Sequence, residues 1–170
     1  MNFKLIFTTI ILFTSIHCFC QSKGETIKWL NAKFENVANY DVAGEPGFNY
    51  LQRFLKINQD GSYLINCKYY RDLDENPIDS FIIRGLLKDL NPEAITISKS
   101  ISYSFKVICT NSKKCVTSKF KDKRGRLNIS TDSNIEFGPI FINDDPDLEI
   151  RIINALQHLI KLFGGKKDTF

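Results

Sequence analysis

Histidine is almost missing from this chain: of 170 residues, only His17 and His158 are histidines. No paired-histidine metalloprotease motif can be written with them, and no phosphate-cradling glycine loop or nucleophile-elbow serine motif is present either. The acidic clusters, Asp72, Asp74, Glu75 and Asp79 in "RDLDENPID" and Asp144, Asp145 and Asp147 in "NDDPD", lack the EF-hand spacing with its central glycine and distal glutamate. The second cluster has a structural explanation at a helix N-terminus, and nothing selects a carboxylate pair for glycoside hydrolysis. Long apolar runs are scarce too. Leu5 to Ile16, "LIFTTIILFTSI", is a run of twelve, too short to span a bilayer, and no later stretch is longer. Charge of one sign is not dominant. The formal balance of +4 is too mild to mark a nucleic-acid binder. These absences count against the readily recognised enzyme classes.

What is present starts with an address. Lys4 precedes the apolar run, and "HCFCQSKGE" follows it, the layout of a cleavable signal peptide over residues 1–20. Cys18 and Cys20 are the small residues a signal peptidase would read before Gln21. His17 and Phe19 stand where a lipoprotein signal needs a small residue before its acylated cysteine. The expected mature chain, residues 21–170, is one globular domain, periplasmic or secreted, able to bury about 70% of its unfolded surface. Loss of Lys4, with no acid before Glu25, lowers the balance from +4 to +3. Heavy use of lysine, isoleucine and asparagine fits an AT-rich bacterial genome.

Two helical patterns bracket a β-rich middle. In "SKGETIKWLNAKFENVANY", Ile27, Leu30, Phe34 and Val37 recur at helical spacing, Trp29 widens the stripe, and Ser22 with Glu25 forms a capping pair. In the last segment, Leu148, Ile152, Leu156, Leu159 and Phe163 share a side. Asp145 is the expected N-cap, Pro146 the first helical residue, and Gly164-Gly165 the stop. Between them lie about seven strand-like runs. Asp60-Gly61 joins the first two as a hairpin, Asn91-Pro92 turns the chain before "AITIS", a lysine turn joins "YSFKVICT" to "CVTSKF", and Gly138-Pro139 marks a bulge or an edge.

The expectation is an α+β fold: a small antiparallel β barrel or curved sheet, an N-terminal helix and a C-terminal capping helix. By element order it resembles a pleckstrin-homology-like fold. "ETIKWLNAKF" and "ALQHLIKLFGGKKDTF" resemble segments of small exported proteins of Bacteroidota-type bacteria. That resemblance implies export and a bacterial source, and brings no catalytic residue with it.

Cys67, Cys109 and Cys115 remain after cleavage. Five residues between Cys109 and Cys115 are too many for a thioredoxin-like pair, and no further ligands stand nearby for zinc. In an exported chain the expected state is a Cys109–Cys115 disulfide clipping a hairpin. Pairing of Cys67 with either one is the alternative. Cys67 alternates with Tyr63, Ile65 and Tyr69, so it faces the apolar side, where a thiol is ordinarily inert.

Lys113, Lys114, Lys119, Lys121, Lys123, Arg124 and Arg126 crowd the region after Cys109. They are either a rim for anions or the lysine guard of an edge strand, and the guard is the simpler reading. The sequence thus points to an exported, monomeric, non-enzymatic binding module without a cofactor or metal and without a membrane span in the mature chain. Its ligand is a protein, an anionic lipid or a glycan, and not nucleic acid. The runner-up is a small extracytoplasmic hydrolase using dispersed carboxylates or Cys67, with His158 as the sole histidine base.

Overall fold

The computed structural model describes residues 22–35, 40–41, 50–70, 77, 79–99, 103–121, 125–140, 145 and 147–168. The expected signal peptide, Val37, Asp72, Asp74, Glu75, Lys123, Arg124, Asp144 and Pro146 lie outside the described residues. Among the described residues, two helices, α1 (Lys23–Glu35) and α2 (Leu148–Leu162), bracket nine strands. These are β1 (Tyr40–Asp41), β2 (Tyr50–Ile57), β3 (Ser62–Tyr70), β4 (Asp79–Leu86), β5 (Leu90–Lys99), β6 (Tyr103–Cys109), β7 (Val116–Lys121), β8 (Leu127–Asp132) and β9 (Asn134–Ile140).

All described pairings are antiparallel, in two sheets. One has the order β1-β2-β3-β4-β7-β8 and the other β5-β6-β9. The expected α+β class and the two terminal helices are therefore present. The expected single barrel or curved sheet is not: the barrel does not close, and the strands divide between two sheets. The physical reason is a corner. Strand β6 runs on into β7, and β8 into β9, but each changes sheet as it does so. Together they form one bent hairpin, pairing β7 with β8 on one side of the bend and β6 with β9 on the other.

The hairpin at Asp60-Gly61 forms as its turn chemistry dictates. Gly61 takes φ +82°, and the Asp60 carboxylate accepts from the Ser62 amide at 2.9 Å and hydroxyl at 2.7 Å, which lowers its pKa. Phe163 also lies over Gly61, where a Cβ would fall 2.4 Å from its ring. Asn91-Pro92 does not turn the chain. A single 3-10 turn at Leu87–Asp89 carries it from β4 to β5, and Asn91 and Pro92 lie within β5. Gly138-Pro139 sits in an edge strand, beside a register shift in β6/β9 pairing, as its breaker chemistry suggests.

Helix α1 has the reciprocal capping pair: Glu25 N donates to Ser22 Oγ at 3.2 Å and Ser22 N to Glu25 Oε2 at 2.8 Å, lowering the Glu25 pKa. Ile27, Leu30 and Phe34 are buried. Asn31 fixes the helix to β2, accepting from Ile57 N at 2.8 Å and donating to Ile57 O at 2.9 Å. Helix α2 departs from expectation at its start. Asp147, without a side-chain cap, precedes Leu148, while the Asp145 carboxylate pairs with Arg151 instead of capping. Its stop is as expected, with Gly164 at φ +92° and Gly165 N bonded to Ile160 O at 2.8 Å.

The core lies between the sheets and under both helices. Helix α1 packs on β2 and β9, α2 on β5 and the Leu87–Asp89 turn, and the helices touch each other. Phe137 joins the layers: its ring centroid is 5.4 Å from that of Tyr63, edge-on, and 6.2 Å from that of Phe34. No helix among the described residues is long and apolar enough to cross a membrane.

Candidate functional site

Cys109 and Cys115 are disulfide-bonded, with Cα atoms 5.9 Å apart, and Cys67 is free and buried. The bond does not clip a β6–β7 hairpin, because those strands belong to different sheets. Ile108 pairs with Asn134 and Val116 with Asp132. On one arm of the bend only Ser133 lies between the paired positions, while on the other arm residues 109–115 do. The disulfide closes the neck of that excursion. Its backbone stays in the ladder, Cys109 N donating to Ser133 O at 2.8 Å and Cys115 N to Asp132 O at 3.0 Å.

The excursion forms one wall of a cleft of about 430 Å³, lined by Lys88 and Asp89, by Thr110, Asn111, Lys113 and Lys114, and by Lys166 beyond α2. Asn111 and Ser112 both have left-handed backbone, φ 56° and 51°, which turns the loop back on itself. The segment after α2 is tied to it: Thr110 Oγ1 donates to Lys166 O at 3.2 Å, and Asn111 N donates to the Asp168 carboxylate. Four exposed lysines from three separate segments thus surround one hollow. None of them is in an ion pair among the described residues, and Asp89 is the one acid in the lining.

Asp89 and Cys115 are shared with an adjoining hollow of about 560 Å³, where β4 and β7 part company after the Arg84–Thr117 pair. Asn58, Ser62, Leu64, Arg84 and Thr117 line it. Tyr63 reaches it from the core. Its side chain is buried, its ring lies over Gly85, and its hydroxyl has no hydrogen-bond partner among the described residues. Burial, with Asp89 adding to it, raises the Tyr63 pKa, so the phenol stays a hydrogen-bond donor.

The expected basic run is divided. Lys113 and Lys114 enter the cleft. Lys119 and Lys121 lie on the solvent face of β7, Arg126 is exposed just before β8, and Lys123 and Arg124 lie outside the described residues. The edge-guard reading is corrected, since β7 is paired on both sides, by β4 and β8. Lys88, Lys166 and the Tyr63 hydroxyl escaped the sequence reading because they lie far from one another and from the 113–126 basic run in sequence and come near it only in the fold.

Cys67 lies on the inner face of β3, 1% exposed, its pKa pushed up to about 11 by burial, against the opposing pull of Arg53. It is a neutral thiol at physiological pH. His158 is exposed on α2. Asp79 opens β4, its carboxylate accepting from Ser80 N at 2.7 Å. No group of three or more metal-ligating side chains occurs among the described residues. No protein-family model, curated protein or solved structure matches this chain.

Proposed function

We propose that the protein is an exported, non-enzymatic binding module and that the lysine-lined cleft beside the disulfide holds an anionic group of its ligand. The observation that carries this reading is the convergence of Lys88, Lys113, Lys114 and Lys166 on one hollow, with Tyr63, whose buried hydroxyl has no partner among the described residues, lining the space that adjoins it. Lysine is a compact point charge suited to phosphate, sulfate or carboxylate, and a buried hydroxyl without a partner favours a ligand that brings an acceptor. Export rests on the leader-like residues 1–20 and suits a disulfide-closed binding loop. The order helix, antiparallel strands, helix is the one on which the pleckstrin-homology-like resemblance rests, and we retain that kinship as part of the proposal. The hydrolase reading has less support, because Cys67 is buried and protonated and His158 faces solvent.

The test is titration with inorganic phosphate and with a sulfated oligosaccharide, followed by amide chemical shifts. Shifts should concentrate at Thr110–Lys114 and Lys166 and vanish in the Lys113→Glu, Lys114→Glu protein. Shifts elsewhere, or none, would remove the reading. So would turnover of a hydrolase substrate that is lost in Cys67→Ala.

A further inference from the structure

Cross-strand partners point to the same side of a sheet, and alternate residues to opposite sides. The register therefore fixes the composition of the outer face of the larger sheet, the side away from α1 and α2. One row across it runs through Lys56, Leu64, Arg84 and Thr117, and the next through Phe54, Asn66, Ile82, Lys119 and Ile129. A third pairs Gln52 with Lys68, Lys68 with Ser80, and Lys121 with Leu127. Five basic residues stand on this face, and β2, β3, β4, β7 and β8 place no acidic residue on it; the acid that the register puts on this side is Asp41 of the two-residue edge strand β1, opposite Tyr50. The inward-facing positions hold the acids of β4 and β8, Asp79 opposite Tyr69 and Asp132 opposite Val116. None of the five cations is in an ion pair among the described residues.

Large aliphatic side chains are interleaved with these charges and stay in water. Leu127 is 60% and Ile129 59% exposed, directly beside Lys121 and Lys119. No helix or loop among the described residues covers them. The face spans roughly 19 Å from β2 to β8, four strand spacings. Protein–protein interfaces are depleted in lysine and enriched in tyrosine, tryptophan and arginine, whereas four of these five cations are lysines. Lysines with adjoining exposed aliphatics match a surface of phosphate headgroups over acyl chains, where the ammonium stays among phosphates and the aliphatic side chain dips below them.

We propose that the outer face of the six-stranded sheet docks on a membrane surface carrying anionic phospholipid, with Lys119 and Lys121 on the headgroups and Leu127 and Ile129 inserted between them. This surface uses residues other than the four cleft lysines, so either reading can fail without the other. The hollow beside Arg84 and Thr117 opens at the margin of the same face, which places the cleft close to the membrane plane.

Sedimentation of the full chain with vesicles tests it, comparing phosphatidylglycerol-containing vesicles with phosphatidylcholine alone. Each cation near an anionic surface is worth about fivefold in partitioning, so binding should be at least about tenfold tighter to the anionic vesicles and should weaken as salt is raised. Lys119→Glu with Lys121→Glu should cost at least about twentyfold by the same scaling, and Leu127→Ser with Ile129→Ser about tenfold from lost apolar burial. A spin-labelled lipid should broaden the amide signals of β7 and β8 in the unmodified protein and spare α2, a readout that needs no variant. Equal binding to both vesicle types, as the apolar segment Leu5–Ile16 alone would give, overturns the proposal. Vesicle binding untouched by the lysine reversals overturns it too. So does an acidic polypeptide bound where vesicles are not, or a dimer lost in the serine variants without vesicle binding.

Discussion

Cys109 and Cys115 are covalently joined, yet Cys109 ends β6 in one β-sheet and Cys115 directly precedes β7 in the other. The bond spans the bend at which a strand pair leaves one sheet for the other, and it lets seven residues on one arm face the single Ser133 on the other. Closing so short a loop stabilises by about 2 kcal/mol on the chain-entropy view. Cys109→Ala with Cys115→Ala should therefore lower unfolding stability in urea by about that much while the fold persists, because the ladder bonds to Ser133 and Asp132 are made by backbone. Reduction of the wild-type protein should reproduce the loss. A global loss of structure would show that the bend cannot form without the bridge.

Tyr63 and Gly85 are matched in the same way. A Cβ at position 85 would lie 2.1 Å from the Tyr63 hydroxyl. Gly85→Ala should destabilise by about 1–3 kcal/mol through overpacking. Tyr63→Phe removes a buried hydroxyl without a partner and should be neutral or stabilising by up to about 1 kcal/mol. It should also weaken binding of the cleft ligand. Thermal unfolding and ligand titration on the same two proteins separate these effects.

Asn31 holds both backbone groups of Ile57. Asn31→Ala leaves them without those bonds at the end of β2 and should cost about 2 kcal/mol. Asn31→Asp keeps the acceptor for Ile57 N but loses the donor, so it should sit between wild type and alanine in denaturant unfolding. Equal stability of all three proteins would mean that water replaces the side chain without loss.

Cys67 predicts an alkaline limit. Its pKa is raised from 9.0 to about 11 in the folded state, so the folded protein binds the proton more tightly than the unfolded chain does. Stability from this group is complete below pH 9 and falls as pH rises from about 9 through 11, by as much as about 3 kcal/mol. Tyr63, also raised, adds a loss of the same sign at higher pH. Cys67→Ala should be less stable at neutral pH because of the cavity, yet show a flatter decline above pH 9. Native Cys67 should also resist thiol reagents until the protein unfolds.

Local chemistry was legible where a few neighbouring residues decide the outcome. Ser22 and Glu25 set the start of α1, Asp60-Gly61 set the hairpin, and the apolar stripe of Leu148, Ile152, Leu156 and Leu159 set the buried side of α2. The Cys109–Cys115 pairing was the one favoured by spacing and by the expectation of export, and it is the one present. Strand β8 escaped notice because its two apolar residues, Leu127 and Ile129, face solvent, while the polar Asn128 and Ser130 take the other side of the sheet. A pattern reading expects the apolar set to face the core. Asp145 misled for a related reason, since Arg151 competes for its carboxylate and the helix starts later.

The amino-acid sequence by itself determined the α+β class, the two helices and the first hairpin, because each depends on interactions over a few residues or on a periodicity; it favoured Cys109–Cys115, and the structure settled that pairing against Cys67. The tertiary structure alone decided that Cys109 and Cys115 bridge two sheets, that β7 is interior, and that Lys88, Lys113, Lys114 and Lys166 share one cleft. Those facts depend on which distant segments pair and in what register, and hydrogen bonds between backbones carry no residue identity. The same register set five cations on one open face, a pattern invisible in a chain whose charges nearly balance.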